Sequence, residues 1–369
     1  MITKLRSYYF ESSDNATKTV ERGGEKRFAQ CILHIGTEKT GTSSIQRFLT
    51  LNRAALAGDG VVYPVATGEG GGSQWEFVAC AHNEVWKIDV GKRLGIDSEQ
   101  DQKRFRQKFR DELSAEFNTA KQGSRLVISS EHLHSRLVNK QMIERLKAFL
   151  EPWVEEFKVV LYLRRQDRVV LSLFSTKVKS GSSNPIAFPG SPKNGVTYYF
   201  DYERGYDNWC AVFGEDHVFP RLFSPNEWEQ NDLIIDFCTA WGLEYKGKRM
   251  PVIENESLDR QGIHFICEVN RQLFDGKGTN NNKEREALVR LASELCRGKN
   301  SAANREEARA FYQQFIEGNE RLRQRAFPDR TALLFDEDFS EYPEEIDETG
   351  PRYEDAVALA IRLWRAKLG

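Results

Sequence analysis

This sequence predicts a three-layer α/β fold, with a central parallel sheet flanked by helices and a mostly helical C-terminal part. Three observations predict it. Short apolar runs at Cys31-Ile32-Leu33-His34-Ile35, Arg125-Leu126-Val127-Ile128 and 157–163 have the length and residue types of buried strands. Helical patterns separate them, and strand, helix, strand, helix, strand is the order of a doubly wound parallel sheet. The 369 residues suffice to bury a large core.

In chain order, residues 1–27 are polar and of mixed charge, with no apolar stretch of the kind a secretory leader needs, and read as a tail. The main domain is expected over 28–345 and a C-terminal amphipathic helix over 346–369. After the first strand, Ile45, Phe48, Leu49 and Leu56 place a helix over 42–56. The Gly58-Asp59-Gly60 turn precedes a short second strand, Val61-Val62-Tyr63-Pro64. A Gly-rich loop at 68–72 then leads into an aromatic stretch with Trp75, Phe77 and Trp86. Phe105, Phe109, Leu113 and Phe117 recur every four residues and predict a helix over 97–118. A further helix is expected over 142–150. Val218-Phe219 and Leu222-Phe223 supply a last strand, with a helix over 231–241 behind it.

The Ser/Gly/Asn/Pro-rich segment 180–195 is long for a connection in a compact fold and reads as a functional loop. Beyond Ser257 the pattern is helical. Val357, Ile361, Trp364 and Leu368 form an apolar stripe expected to dock on the body, because the opposite face is not basic enough for a membrane surface.

Composition narrows the function classes. Apolar residues at 40% and charged residues at 29% make a globular balance. A net charge of −2 argues against nucleic acid as the main partner, while leaving room for a local anion pocket. No stretch reaches the roughly 20 apolar residues of a membrane span. Six widely spaced cysteines show no metal-binding or disulfide pattern, so buried thiols and a cytoplasmic setting are expected. No metal-ligand cluster is visible.

The sharpest motif is Gly36-Thr37-Glu38-Lys39-Thr40-Gly41-Thr42-Ser43-Ser44, between a buried strand and a helix. Glycines allow a tight turn and close backbone approach, and successive amides at a helix N-terminus then face an anion. Hydroxyls of Thr40, Thr42, Ser43 and Ser44 add donors. Taken alone, such a turn is a strand-to-helix connection with an exposed lysine; its placement favours anion binding. A nucleoside-triphosphate loop would carry Lys directly after the second glycine. Here Thr42 follows Gly41 and the lysine is Lys39, inside the loop. No apolar run ends in an aspartate suited to Mg-nucleotide chemistry.

The stretch His34-Ile-Gly-Thr-Glu-Lys-Thr-Gly-Thr-Ser-Ser44 resembles the 5'-phosphosulfate-binding loop of sulfotransferases that use 3'-phosphoadenosine 5'-phosphosulfate (PAPS). That resemblance implies a P-loop-type sheet. It implies contacts from Gly36, Thr37, Lys39, Thr40, Gly41, Thr42, Ser43 and Ser44 to the donor, with Lys39 on the 5'-phosphate and the bridging oxygen. The family's second signature is an arginine at a strand end with a serine eight residues on, together holding the 3'-phosphate. Arg164 and Ser172 have that separation, and guanidinium suits paired bonds to phosphate. The usual Arg-Asn-Pro or Arg-Asp-Pro is replaced by Arg164-Arg165-Gln166, as in bacterial members, and the C-terminal RKGxxGxWK segment of animal enzymes is absent.

Between the motifs, Ser129-Ser130-Glu131-His132 follows an apolar run and is expected at the carboxyl end of a strand, where open α/β sheets hold ligands. The resemblance implies a catalytic base there, Glu131 or His132, with Ser129 or Ser130 near the sulfate. His82 is a further candidate for the acceptor site. The expected reaction moves the sulfuryl group to a hydroxyl or amine of a saccharide or other small acceptor, releases 3',5'-ADP and needs no metal. A P-loop small-molecule kinase using ATP and a non-catalytic nucleotide-binding module are the alternatives. Asn255-Glu256-Ser257, Asn319-Glu320-Arg321 and Leu334 to Phe339 resemble segments of bacterial sulfotransferase-like proteins without an assignable role.

Overall fold

A computed structural model describes residues 26–67, 72–183, 188, 197–251, 258–273, 283–296, 298, 303–346 and 353–368. Five strands make one sheet: β1 (Phe28–His34), β2 (Val61–Val62), β3 (Ser124–Ser129), β4 (Val154–Leu163) and β5 (Val218–Leu222). Their order is β2-β3-β1-β4-β5 and every pairing is parallel. The fold class is α/β, as the sequence predicts.

Side-chain alternation builds the layers. Cys31 and Leu33 of β1, Leu126 and Ile128 of β3, and Val159, Leu161 and Leu163 of β4 enter one core. Ile32, Val127, Val160 and Tyr162 enter the other. The first core is covered by the helices Trp75–Ala81, Glu99–Asn118, Lys140–Leu150 and Tyr202–Phe213, the second by Thr42–Leu51 and Leu233–Ala240. Period-two strands buried on both faces read as continuous apolar runs, which is why they are visible in sequence.

Two predicted elements differ in detail. The helix expected over 42–56 is broken at Asn52, whose Nδ2 donates to the Phe48 and Arg249 carbonyls at 2.8 and 2.9 Å. A short amide side chain competing with the helical ladder ends it there. β2 is only two residues long, since Pro64 follows closely and offers no N–H.

Past β4, the helix Gln166–Lys179 anchors the C-terminal helices: Phe174 and Val178 share a core with Ile263, Ile266 and Cys267. The helix Tyr353–Leu368 joins the same core, but not through the expected stripe. Leu359 and Leu363 are buried at 2% and 7% exposure, while Val357, Ile361 and Trp364 are exposed at 39%, 47% and 62%. Two apolar rows share this helix, and the row that meets its neighbours is decided by docking. The Leu368 side chain, the tail 1–25, most of the 180–195 loop, the 68–71 loop and Asn255-Glu256-Ser257 lie outside the described residues. Cys31, Cys80, Cys238, Cys267 and Cys296 are buried free thiols, and Cys210 is half-buried. No described helix is long and apolar enough to cross a membrane.

Candidate active site at the carboxyl edge of the sheet

β1, β3 and β4 are neighbours, so the segments leaving their carboxyl ends emerge side by side. The loop after β1 makes three left-handed turns, at Gly36 (φ 54°), Lys39 (φ 68°) and Gly41 (φ 71°). Both glycines are needed for space as well as conformation. A Cβ on Gly36 would lie 2.6 Å from the Thr42 methyl, and one on Gly41 2.3 Å from a Leu233 methyl. Lys39 adopts the same region with a side chain, a strained placement that the surrounding structure must hold. The Thr42–Leu51 helix begins at Gly41 with no side-chain cap, leaving its first amides open to an anion.

Two of the loop hydroxyls are already committed. Thr37 donates to the Tyr162 carbonyl at 2.9 Å and Thr40 to the Thr37 carbonyl at 2.6 Å, tying the loop to β4 and to itself. Thr42 is buried, Ser44 half-buried and Ser43 exposed.

Arg164, the first residue past β4, donates through Nη1 to the Lys39 carbonyl at 3.0 Å. Its guanidinium carbon stands 5.4 Å from the centre of the Phe223 ring. Burial lowers the Lys39 pKa, with Glu38 and Glu131 raising it and Arg164 lowering it further. Lys179, at the end of the Gln166–Lys179 helix, is lowered by burial and by the Lys39 charge. Lys39 and Arg164 thus meet at the loop, and the Lys179 charge is felt there. Ser172 is half-buried two turns into the same helix. Arg165 takes the opposite course: fully buried, it donates to Asp167 through Nε and Nη2 at 2.8 and 2.9 Å and to the Asp336 carboxylate at 2.7 Å.

Past β3, Glu131 opens the short helix Glu131–Arg136. Its Oε2 accepts from Gln46 Nε2 at 2.8 Å, and its Oε1 lies 3.7 Å from His132 Nε2. The His132 ring stacks on Trp75 at 3.6 Å between centroids, with Nδ1 3.7 Å from Glu38 Oε1. Burial lowers the His132 pKa despite those carboxylates, which keeps the imidazole neutral at pH 7. Arg136 bridges Glu38 (3.1 Å) and Asp89 (2.7 Å). The two serines face inward instead: Ser129 Oγ is 2.8 Å from His34 Nδ1, and Ser130 Oγ is 2.7 Å from Ser73 Oγ. His82 sits at the far end of the Trp75 helix, its Nδ1 accepting the Glu84 amide.

Lys39, Glu131, His132 and Arg164 are therefore brought to one edge. Sequence reasoning missed Gln46, Glu38, Trp75 and Lys179. Gln46 carried a signal, being a polar residue next to Ile45 on the apolar side of its helix.

No family model matches this chain. It is 27% identical over 228 residues to an uncharacterized protein of Archaeoglobus fulgidus, a match covering 60% of this chain and 59% of that protein. The chain thus spans less than two thirds of that relative. Among solved structures, a sulfotransferase from Alicyclobacillus acidocaldarius aligns with 80% of this chain and 95% of its own, at a TM-score of 0.40 and 14% identity. Among the described residues, no group of three or more His, Cys, Asp or Glu side chains is placed to hold a metal ion.

Proposed function

We propose that this chain is a sulfotransferase that moves the sulfuryl group of PAPS to a hydroxyl or amine of a saccharide or other small acceptor. One observation carries the reading: the Arg164 guanidinium is bonded to the Lys39 carbonyl, which joins the two resembling motifs into one cationic site beside Glu131. In this reading the open amides at the start of the Thr42–Leu51 helix receive the 5'-phosphate. Arg164 and Ser172 receive the 3'-phosphate, and Lys39 faces the bridging oxygen.

The reaction is an in-line displacement at sulfur. The acceptor oxygen or nitrogen bonds to sulfur as the bridging S–O bond breaks, and 3',5'-ADP leaves with the electron pair. Such transfers depend chiefly on positioning and charge stabilisation. Lys39 neutralises the charge that grows on the leaving oxygen. Glu131, oriented by Gln46, takes the acceptor proton, with His132 as the alternative base.

The kinase alternative gains no support from the strand ends. Asp167, the acidic residue nearest the end of β4, is taken up by Arg165 and Tyr342. The test is calorimetry with 3',5'-ADP and with 5'-AMP. The bisphosphate should bind tighter by roughly 10- to 100-fold, the value of one charge-assisted phosphate contact. Equal affinities overturn the assignment of Arg164 and Ser172, and Mg-dependent ATP turnover would replace the reading with a kinase.

A further inference from the structure

Among the described residues most arginines have acceptors: Arg136 has Glu38 and Asp89, Arg221 has Asp236, and Arg325 has Asp207 and Glu215. Arg106 and Arg145 differ. Arg106 projects from the Glu99–Asn118 helix and Arg145 from Lys140–Leu150, two helices that both pack against Trp75–Ala81. Nε of Arg106, and Nε and Nη2 of Arg145, are buried with no hydrogen-bond partner. One turn further along both helices, Phe109 stacks on Phe149 at 6.1 Å and Arg110 lies 4.6 Å from the same ring, which places Arg106 beside Arg145; burial and the Arg106 charge lower the Arg145 pKa. The Arg145 charge also acts on His82, and those of Arg106 and Arg110 on Cys80. Arg110 is occupied with the Phe149 and Trp153 rings. Glu76 also acts on Cys80, but the cation that acts on Glu76 itself is Arg93, and its Oε2 makes no hydrogen bond.

Two repelling guanidiniums with buried, unpaired donors are unfavourable by themselves. Buried N–H groups without acceptors cost free energy, and like charges in a partly desolvated place add to it. A bound oxyanion reverses both terms, since the guanidinium fork matches the oxygens of sulfate, phosphate or carboxylate.

We infer that Arg106 and Arg145 form an oxyanion-binding site on the outer helical layer, separate from the loop after β1. The ligand is a sulfate, phosphate or carboxylate group, either a free ion or a substituent of a larger molecule. The inference does not rest on the proposed reaction.

The experiment follows the side-chain 15Nε resonances of Arg106 and Arg145, assigned by their loss in Arg106→Gln and Arg145→Gln. The full-length protein is titrated with inorganic sulfate at constant ionic strength, with chloride as the balancing salt. Both resonances should shift saturably, and either substitution should weaken binding at the remaining arginine by tenfold or more. Lys39→Ala should leave the titration unchanged, which separates this site from the loop. A parallel titration with glucose 6-sulfate distinguishes sources: tighter binding than sulfate marks a substituted ligand, and equal binding marks the free ion. Shifts that are linear, or the same in chloride, overturn the site and leave a solvated arginine pair. Should Arg145→Gln fail to fold, Arg145→Lys keeps the charge without the fork and should still lose saturable binding.

Discussion

Lys39 combines a left-handed backbone with a half-buried ammonium set among Glu38, Glu131, Arg164 and Lys179. Its strain is tolerable because Arg164 holds the Lys39 carbonyl and Thr40 holds the Thr37 carbonyl two residues before it. In the proposed reaction its charge acts mainly where the bridging oxygen becomes an anion, while amides hold the nucleotide. Lys39→Ala should therefore lower kcat by roughly 100-fold or more with a smaller loss of donor affinity. A proportionate loss in binding alone, seen by calorimetry, would remove Lys39 from the chemistry. The carboxylate beside it is tested by a near-isosteric change. Glu131→Gln keeps an oxygen for Gln46 to bond but removes the base, so turnover should fall about 100- to 10,000-fold with donor binding unchanged. His132→Asn should cost far less. The reverse ranking would make the neutral His132 the base.

Between elements, the turn from β4 into the Gln166–Lys179 helix is bolted to the C-terminal part. Arg165 and Asp167 form a fully buried pair, and the Tyr342 hydroxyl donates to Asp167 at 2.6 Å. Asp336 and Asp338 hold the other side of the guanidinium through main-chain carbonyls at 2.9 and 2.8 Å. Beside them Gln166 and Asn319 exchange amide hydrogen bonds at 2.8 and 3.2 Å. The segments around Asn319 and Leu334–Phe339 thus gain a role as supports for the turn that carries Arg164. Removing Asp167 leaves the buried guanidinium with Asp336 as its remaining close carboxylate and the Tyr342 hydroxyl without an acceptor, a loss of charge-assisted hydrogen bonds on the order of 1.5 to 3 kcal/mol. Asp167→Ala should lower Tm markedly and weaken 3',5'-ADP binding through the displaced Arg164. If calorimetric melting showed Tm within a degree or two of the parent, the clamp would not be what holds this turn.

Across the whole molecule, the two most deeply buried histidines link stability to pH. His34 lies under the loop between Tyr162 and Phe237, its pKa lowered by burial to about 3. His134 sits among Tyr198, Tyr199 and Tyr202 with both ring nitrogens unpartnered, its pKa lowered by burial to about 4. Both are neutral in the folded chain, whereas the unfolded chain protonates them below about pH 6.5. The unfolded state therefore binds more protons below that value. Stability is full above it and falls with pH down towards about 4. Tm should drop by several degrees between pH 7.5 and 5, and His134→Phe should flatten that slope by removing one proton-binding group from the unfolded chain. An unchanged slope in the variant would assign the acid sensitivity elsewhere.

Local chemistry already determined much of this protein. The continuous apolar runs of β1 and β4, the Phe109-Leu113-Phe117 row and the glycine spacing of the loop depend on neighbours a few residues away, so the α/β class and the place of the loop were legible. Contacts between distant residues were not. Which of two adjacent arginines turns to the loop and which to the body depends on Lys39 and on Asp336, 125 and 171 residues away. The hold of Gln46 on Glu131, the inward turn of Thr37 and Thr40, and the Leu359 and Leu363 face of the last helix likewise follow from docking. Periodicity ranks which side chains are apolar along an element; only packing of the elements decides which face is covered and which polar atoms meet.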